Sequence, residues 1–170
     1  ALGCLLLALF AGPAQAEWLE ASSDHFVIYG DQSEKAIREF ADRLERFHAG
    51  MSLFLRRPPT KPSPSNRVSV YVVTNEAKVR QVMGASDRYI AGVYLPRAGA
   101  SIAIVPKLKG ARSQYDMSGE TILYHEYAHH FMWQMTAREY PRWFVEGFAE
   151  FFSVVRFEDT RVGLGAAVRF

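Results

Sequence analysis

Residues 120–135, the most informative segment of the chain, read ETILYHEYAHHFMWQM. Its length and apolar content predict a helix, and two of its histidines, His125 and His129, are four residues apart. Both imidazoles therefore lie on one helix face, about 5–6 Å apart at Cβ, and can reach a single metal ion. Glu126, beside the first histidine, can approach the same point without acting as a ligand. A five-residue motif alone also fits ordinary surface or core histidines, so a third ligand is needed.

The residues downstream of the motif limit the choice of third ligand. An HExxHxxGxxH site requires Gly at 132 and His at 135, where the chain has Met132 and Met135. A second helix is predicted from PRWFVEGFAEFF, residues 141–152, because proline is tolerated in a first helical turn. Glu146 in this helix would complete a His₂Glu set with an open fourth position, as in catalytic zinc sites.

Together, the two motifs resemble the gluzincin zinc metallopeptidases and, more narrowly, the bacterial peptidase-MA-like proteins, whose second motif reads roughly P-x-W-h-x-E-G-h-A-E. The resemblance is specific over residues 120–152. It implies a zincin-like domain that hydrolyses peptide bonds, with one Zn²⁺ per chain. The implied zinc ligands are His125, His129 and Glu146, and the implied general base is Glu126. The spacer of 16 residues between the second histidine and the glutamate is slightly shorter than in thermolysin-like members.

Glu150 lies one helical turn beyond Glu146, on the same face. In thermolysin-like enzymes a carboxylate at this place hydrogen-bonds a ligating histidine, so the resemblance implies that role for Glu150. The alternative is a glutamate that only faces solvent.

Other residues near the motifs are predicted to be structural. His130 points about 100° away from His129 around the helix, which favours a solvated or structural histidine over a ligand. Tyr115 and Tyr140 are both candidates for stabilising the oxyanion of the reaction, and the sequence does not choose between them. Aromatic side chains are expected to pack in the core between the two motif helices, and these are Trp133, Trp143, Phe144, Phe148 and Phe151.

The first sixteen residues have the pattern of a secretory signal peptide. Residues 2–11 are apolar, and Ala14-Gln15-Ala16 places small residues before a cleavage site at Glu17. A membrane-spanning helix requires roughly 18 apolar residues and this run is about 12, so no stable span is expected after cleavage. The protein is therefore expected in the periplasm or secreted. Cys4, the only cysteine, belongs to this segment, so the mature chain can form neither a disulfide nor a thiolate metal site.

The composition is that of one globular domain. Of 170 residues, 49% are hydrophobic and the net charge is +2. The basic residues are scattered without interleaved aromatics, which excludes a nucleic-acid partner and leaves a peptide or protein substrate as the expected one. Residues 17–170 are expected to form a zincin-like domain that belongs to a longer reading frame and is truncated at its C-terminus.

The predicted order of elements is strand, helix, strand, helix, two strands and two helices, which indicates an α+β fold. By analogy with gluzincins, the strand before the motif helix is expected to be the sheet edge that pairs with an extended substrate. The predicted strands cover residues 25–29, 67–73, 90–95 and 101–105, and the predicted helices cover 33–55, 75–83, 118–135 and 141–155.

Two functions remain open at this point. The first is an exported zinc peptidase. The alternative is a non-catalytic zincin-like scaffold or binding protein, with the tetratricopeptide repeats that related proteins often carry lying beyond this segment. The intact Glu126 favours the peptidase, because a scaffold has no chemical need for a carboxylate beside the metal.

Overall fold

The computed structural model describes residues 17–58, 60–87, 90–97, 99–107, 119–135 and 139–165. It confirms the α+β class, since strands and two helices precede the two helices that carry the motif residues. The elements are β1 (Leu19–Ser22), β2 (Phe26–Gly30), α1 (Glu34–Phe54), β3 (Val68–Val73), α2 (Glu76–Met83), β4 (Val93–Leu95), β5 (Ile102–Pro106), α3 (Gly119–Met135), α4 (Arg142–Ser153), β6 (Arg156–Phe157) and β7 (Val162–Gly163).

Strands β1 to β5 form one mixed sheet in the order β1-β2-β3-β5-β4. The central strands β2, β3 and β5 are parallel, whereas the outer strands β1 and β4 are antiparallel to their neighbours. The prediction that residues 101–105 form the edge strand is therefore wrong, because β5 lies inside the sheet and β4 forms the edge. The physical reason is that β5 pairs with β3 on one side and with β4 on the other, so it has a neighbouring strand on both sides.

The two faces of the sheet pack against different helices, because alternate strand residues point to opposite sides. On one face, Val70 and Val105 belong to the main core, which includes α1 and α3. On the other face, Val73 and Ile104 pack with Val79 of α2. Helix α4 packs on α3, so it forms the outermost layer of the domain. This zincin-like arrangement places the motif helix α3 against the sheet near the edge strand β4.

Both N-terminal helices begin within one residue of the predicted bounds, and each follows a capping residue. The side chain of Ser33 accepts a hydrogen bond from the backbone N–H of Ala36, and Asn75 accepts one from Lys78. Gly84 ends α2 with a φ of 63°, a left-handed conformation that glycine adopts without steric cost. The apolar stripe that predicts α1 is buried as expected, and it consists of Ile37, Phe40, Leu44, Phe47 and Met51.

The sequence does not predict strands β1, β6 and β7. Strand β1 and the β6–β7 hairpin span too few residues to show an alternating pattern. The predicted signal segment, residues 1–16, and the predicted start of the motif helix lie outside the described residues. Within the described ranges, none of the helices has the length and apolar character required to cross a membrane.

Candidate metal centre

One side of α3, here called the metal-facing side, presents His125 and His129. Their Nε2 atoms lie 3.1 Å apart, and the two ring planes are at 86° to each other. His129 is buried and His125 is half-buried. The approach follows from the i, i+4 spacing, which the helix converts into neighbouring positions on one face.

The third side chain of the cluster comes from α4. Pro141 precedes this helix with a φ of −56°, which its ring favours. Glu146 Oε2 lies 3.5 Å from His125 Nε2 and 3.6 Å from His129 Nε2. The structure thus brings the three predicted ligands together, each offering an atom within 4.8 Å of the others.

The distances within this cluster fit a bound metal ion. Ligand atoms about 2.0–2.1 Å from a tetrahedral zinc ion are separated from one another by about 3.3–3.4 Å. The three observed separations of 3.1, 3.5 and 3.6 Å bracket that value. Two imidazole nitrogens and one carboxylate oxygen also form a donor set that divalent transition metals accept. The cluster therefore forms a possible metal site.

Glu126 is half-buried next to this cluster. Burial raises the pKa of its carboxyl group, the charge of His125 lowers it, and the negative charge of Glu146 raises it. Both of these charges belong to the cluster, so the carboxylate of Glu126 lies within electrostatic reach of it. Glu126 itself is not among the three residues whose atoms converge.

Glu150 faces the ring of His125 from the next turn of α4. Its Oε1 atom lies 3.8 Å from His125 Nδ1, which is longer than a hydrogen bond, and 64% of its side chain is exposed. In the described part of the chain the buried Nδ1 atoms of His125 and His129 have no hydrogen-bond partner. A ligating histidine usually donates its second ring N–H to a carboxylate or carbonyl, and Glu150 is positioned near one such nitrogen.

The opposite side of α3, here called the anchoring side, is held by polar contacts to other elements. The Tyr127 hydroxyl and His48 Nδ1 of α1 form a hydrogen bond of 2.7 Å. His130 Nδ1 hydrogen-bonds with the hydroxyl of Tyr94 on β4, which supports a structural role for His130. Burial lowers the pKa of His48 and of His130 to about 4, so both are neutral near pH 7.

The sequence does not predict these anchoring contacts, because the paired residues are far apart along the chain. Tyr127 and His48 are 79 residues apart, and Tyr94 and His130 are 36 residues apart. No local periodicity links such partners. The only available signal was the presence of polar residues on the inner face of an otherwise apolar helix.

Most of the aromatic residues expected between α3 and α4 are exposed instead. Trp133, Trp143, Phe144 and Phe151 all face solvent, and only Phe148 is half-buried. The prediction that all five fill the interhelical core is therefore wrong. The reason is that α4 is an outer helix with α3 as its main neighbour, so it buries a narrow stripe consisting of Ala149, Phe152 and Ser153.

The two candidates for oxyanion stabilisation have different outcomes. The Tyr140 ring packs against Phe144, with 4.8 Å between ring centroids. Tyr115 lies outside the described residues.

No model of a known protein family matches this chain, and no curated protein is similar to it in sequence. The fold and the side-chain geometry therefore carry the classification. They define an α+β domain with a zincin-like arrangement of helices and a possible metal site formed by His125, His129 and Glu146.

Proposed function

We propose that this protein is an exported zinc-dependent peptidase. The observation that carries the proposal is the triangle of ligand atoms from His125, His129 and Glu146, whose sides approach those of a tetrahedral zinc site. A His₂Glu set with a free fourth position is typical of catalytic zinc, whereas structural zinc sites are closed by four protein ligands. Export rests on the signal-like pattern of residues 1–16.

In this proposal, three residues of the chain bind the metal and a fourth transfers the proton. The two histidines and Glu146 would hold the ion, and the packing of α4 on α3 keeps the third ligand in place. When bound, zinc polarises the carbonyl of the scissile bond and lowers the pKa of a water molecule toward about 7. Glu126 would accept the proton of the attacking water and deliver it to the leaving amine.

Strand β4 is the proposed docking edge for an extended substrate. It lies at the edge of the sheet, so one row of its backbone groups has no neighbouring strand among the described residues, and it packs near α3. An extended peptide can add to such an edge through main-chain hydrogen bonds. In this proposal β4 takes the role that the sequence analysis assigned to residues 101–105.

Substitution of the proposed base tests the function. We expect Glu126→Gln to retain zinc and to lose peptide hydrolysis by at least about 100-fold, because an amide cannot accept the proton. Zinc content and hydrolysis of a protein substrate such as casein are measured on the same samples. Glu39→Gln, which alters an exposed glutamate of α1, is the matched control. A wild-type protein that binds zinc but hydrolyses nothing would favour the scaffold alternative.

Export is tested separately. Cells that express the full reading frame are used to prepare a periplasmic extract. We expect the protein recovered from it to begin at Glu17, as read by N-terminal sequencing of that protein. Recovery of protein that still carries residues 2–16 would contradict cleavage at this position.

A further inference from the structure

Exposed aromatic side chains from α3 and from the start of α4 lie at one end of the metal centre, and together they are here called the aromatic patch. Trp133 is 51% exposed, Tyr140 42%, Trp143 75% and Phe144 38%. Phe144 connects its neighbours, with ring centroids 4.8 Å from Tyr140 and 5.9 Å from Trp143. Exposure of several large aromatic rings close together is costly in water and usually marks a binding surface.

The aromatic patch lies next to the metal ligands. Helices α3 and α4 run in opposite directions, since Glu146 approaches both histidines while Glu150 approaches His125. Trp133 is one turn past His129 on α3, and Trp143 is one turn before Glu146 on α4. With a rise of about 1.5 Å per residue, both tryptophans lie about 4–6 Å along their helices from a ligand, at the same end of the site.

Trp133 is also in direct contact with a ligand. Its indole stacks on the ring of His129, with centroids 5.9 Å apart and planes 19° apart. A group that lies on the exposed face of Trp133 is therefore separated from the metal site by only one aromatic ring. This continuity favours a substrate side chain as the occupant of the aromatic patch over a separate partner that binds elsewhere.

We propose that the aromatic patch is a specificity subsite that binds a bulky aromatic or apolar side chain of the peptide substrate near the cleaved bond. The inference rests on the proposed peptidase function and adds the class of substrate. Aromatic rings favour offset-stacked or edge-to-face partners, so phenylalanine, tyrosine and leucine are preferred over alanine, glycine and charged residues.

Binding of matched peptides tests the proposal. The zinc-loaded Glu126→Gln protein is titrated by calorimetry with end-blocked eight-residue peptides of Ala, Ser and Gly. The peptides are identical except for one Phe or one Ala at each of the four central positions. We expect the Phe peptide to bind about ten-fold more tightly than its Ala partner at one or two adjacent positions.

Tryptophan variants locate the preference on the protein. Added to Glu126→Gln, Trp143→Ala or Trp133→Ala is expected to reduce the ten-fold preference to less than about three-fold. Trp18→Ala is the matched control, because Trp18 is similarly exposed but lies against Tyr71 of β3. It should leave the preference unchanged. Zinc content and thermal unfolding are measured for each variant, so that a loss of the metal or of the fold is not mistaken for a loss of the subsite.

The outcomes separate this inference from the proposed function. Peptide hydrolysis by wild-type protein without any Phe preference, or with a preference that both tryptophan variants keep, would overturn the subsite and leave the peptidase standing. A Phe preference that depends on Trp143 in a protein without hydrolytic activity would overturn the peptidase and retain the binding site. Concentration-dependent self-association, or binding to phosphatidylcholine vesicles, that Trp143→Ala abolishes while peptide binding is unchanged would assign the patch to another occupant.

Discussion

The polar groups on the two sides of α3 differ in whether they have hydrogen-bond partners within the chain. On the metal-facing side, the Nε2 atoms of His125 and His129 point at each other and at a carboxylate. Their buried Nδ1 atoms have no hydrogen bond among the described residues. On the anchoring side, by contrast, Tyr127 and His130 are paired with side chains from α1 and β4.

This difference separates the candidate metal centre from a structural surface, although both sides contain histidine. Buried polar groups are normally hydrogen-bonded, so a side whose groups are paired within the chain needs nothing further. On the metal-facing side, the Nε2 atoms of the histidines converge, which suits a cation. Their Nδ1 atoms lack a partner among the described residues, which suits a carboxylate that hydrogen-bonds to ligating histidines. The contrast predicts that substitutions on the two sides affect different properties.

The largest contrast is expected between adjacent histidines. His129→Ala should reduce zinc from about one ion per chain to less than about a tenth, because two ligands hold the ion poorly. His130→Ala should retain zinc and lose the hydrogen bonds of the ring with Tyr94 and Gln134. Elemental analysis after dialysis, with thermal unfolding as a check on the fold, measures both. Equal zinc content in the two variants would remove His129 from the ligand set.

An intermediate effect is expected at Glu150. Glu150→Ala should weaken zinc affinity or hydrolysis by about 10–100-fold, because it removes the carboxylate that lies 3.8 Å from the second ring nitrogen of His125 and that would support this ligand. Competition with a chromogenic chelator measures the affinity. Glu139→Ala, a change at an exposed glutamate just before α4, serves as the control. An unchanged affinity would support the alternative that Glu150 only faces solvent.

The smallest effect on the metal is expected on the anchoring side. Tyr127→Phe should leave zinc content unchanged while lowering the free energy of unfolding by about 1–3 kcal/mol, because His48 is left buried without its partner. Urea unfolding of the zinc-loaded protein gives this value. The double variant with His48→Phe should cost less than the sum of the two single changes. Additive costs would show that the two residues do not act as a pair.

Local signals predicted most of the fold. The apolar period of α1 and the cap at Asn75 gave helix bounds that the structure confirms to within a residue or two. The edge strand could not be predicted in this way. Which strand lies outermost depends on which of β4 and β5 pairs with β3, and the hydrophobic pattern of either strand is compatible with both positions.

The sequence alone determined that His125 and His129 share one face of a helix, because their spacing matches the helical repeat and needs no other part of the chain. The tertiary structure was needed to bring Glu146 to them, since this depends on how α4 packs against α3. It also decided that Trp133 and Trp143 face solvent. Apolar character shows that a side chain gains from burial, but the number of helices packed around it determines whether burial is available.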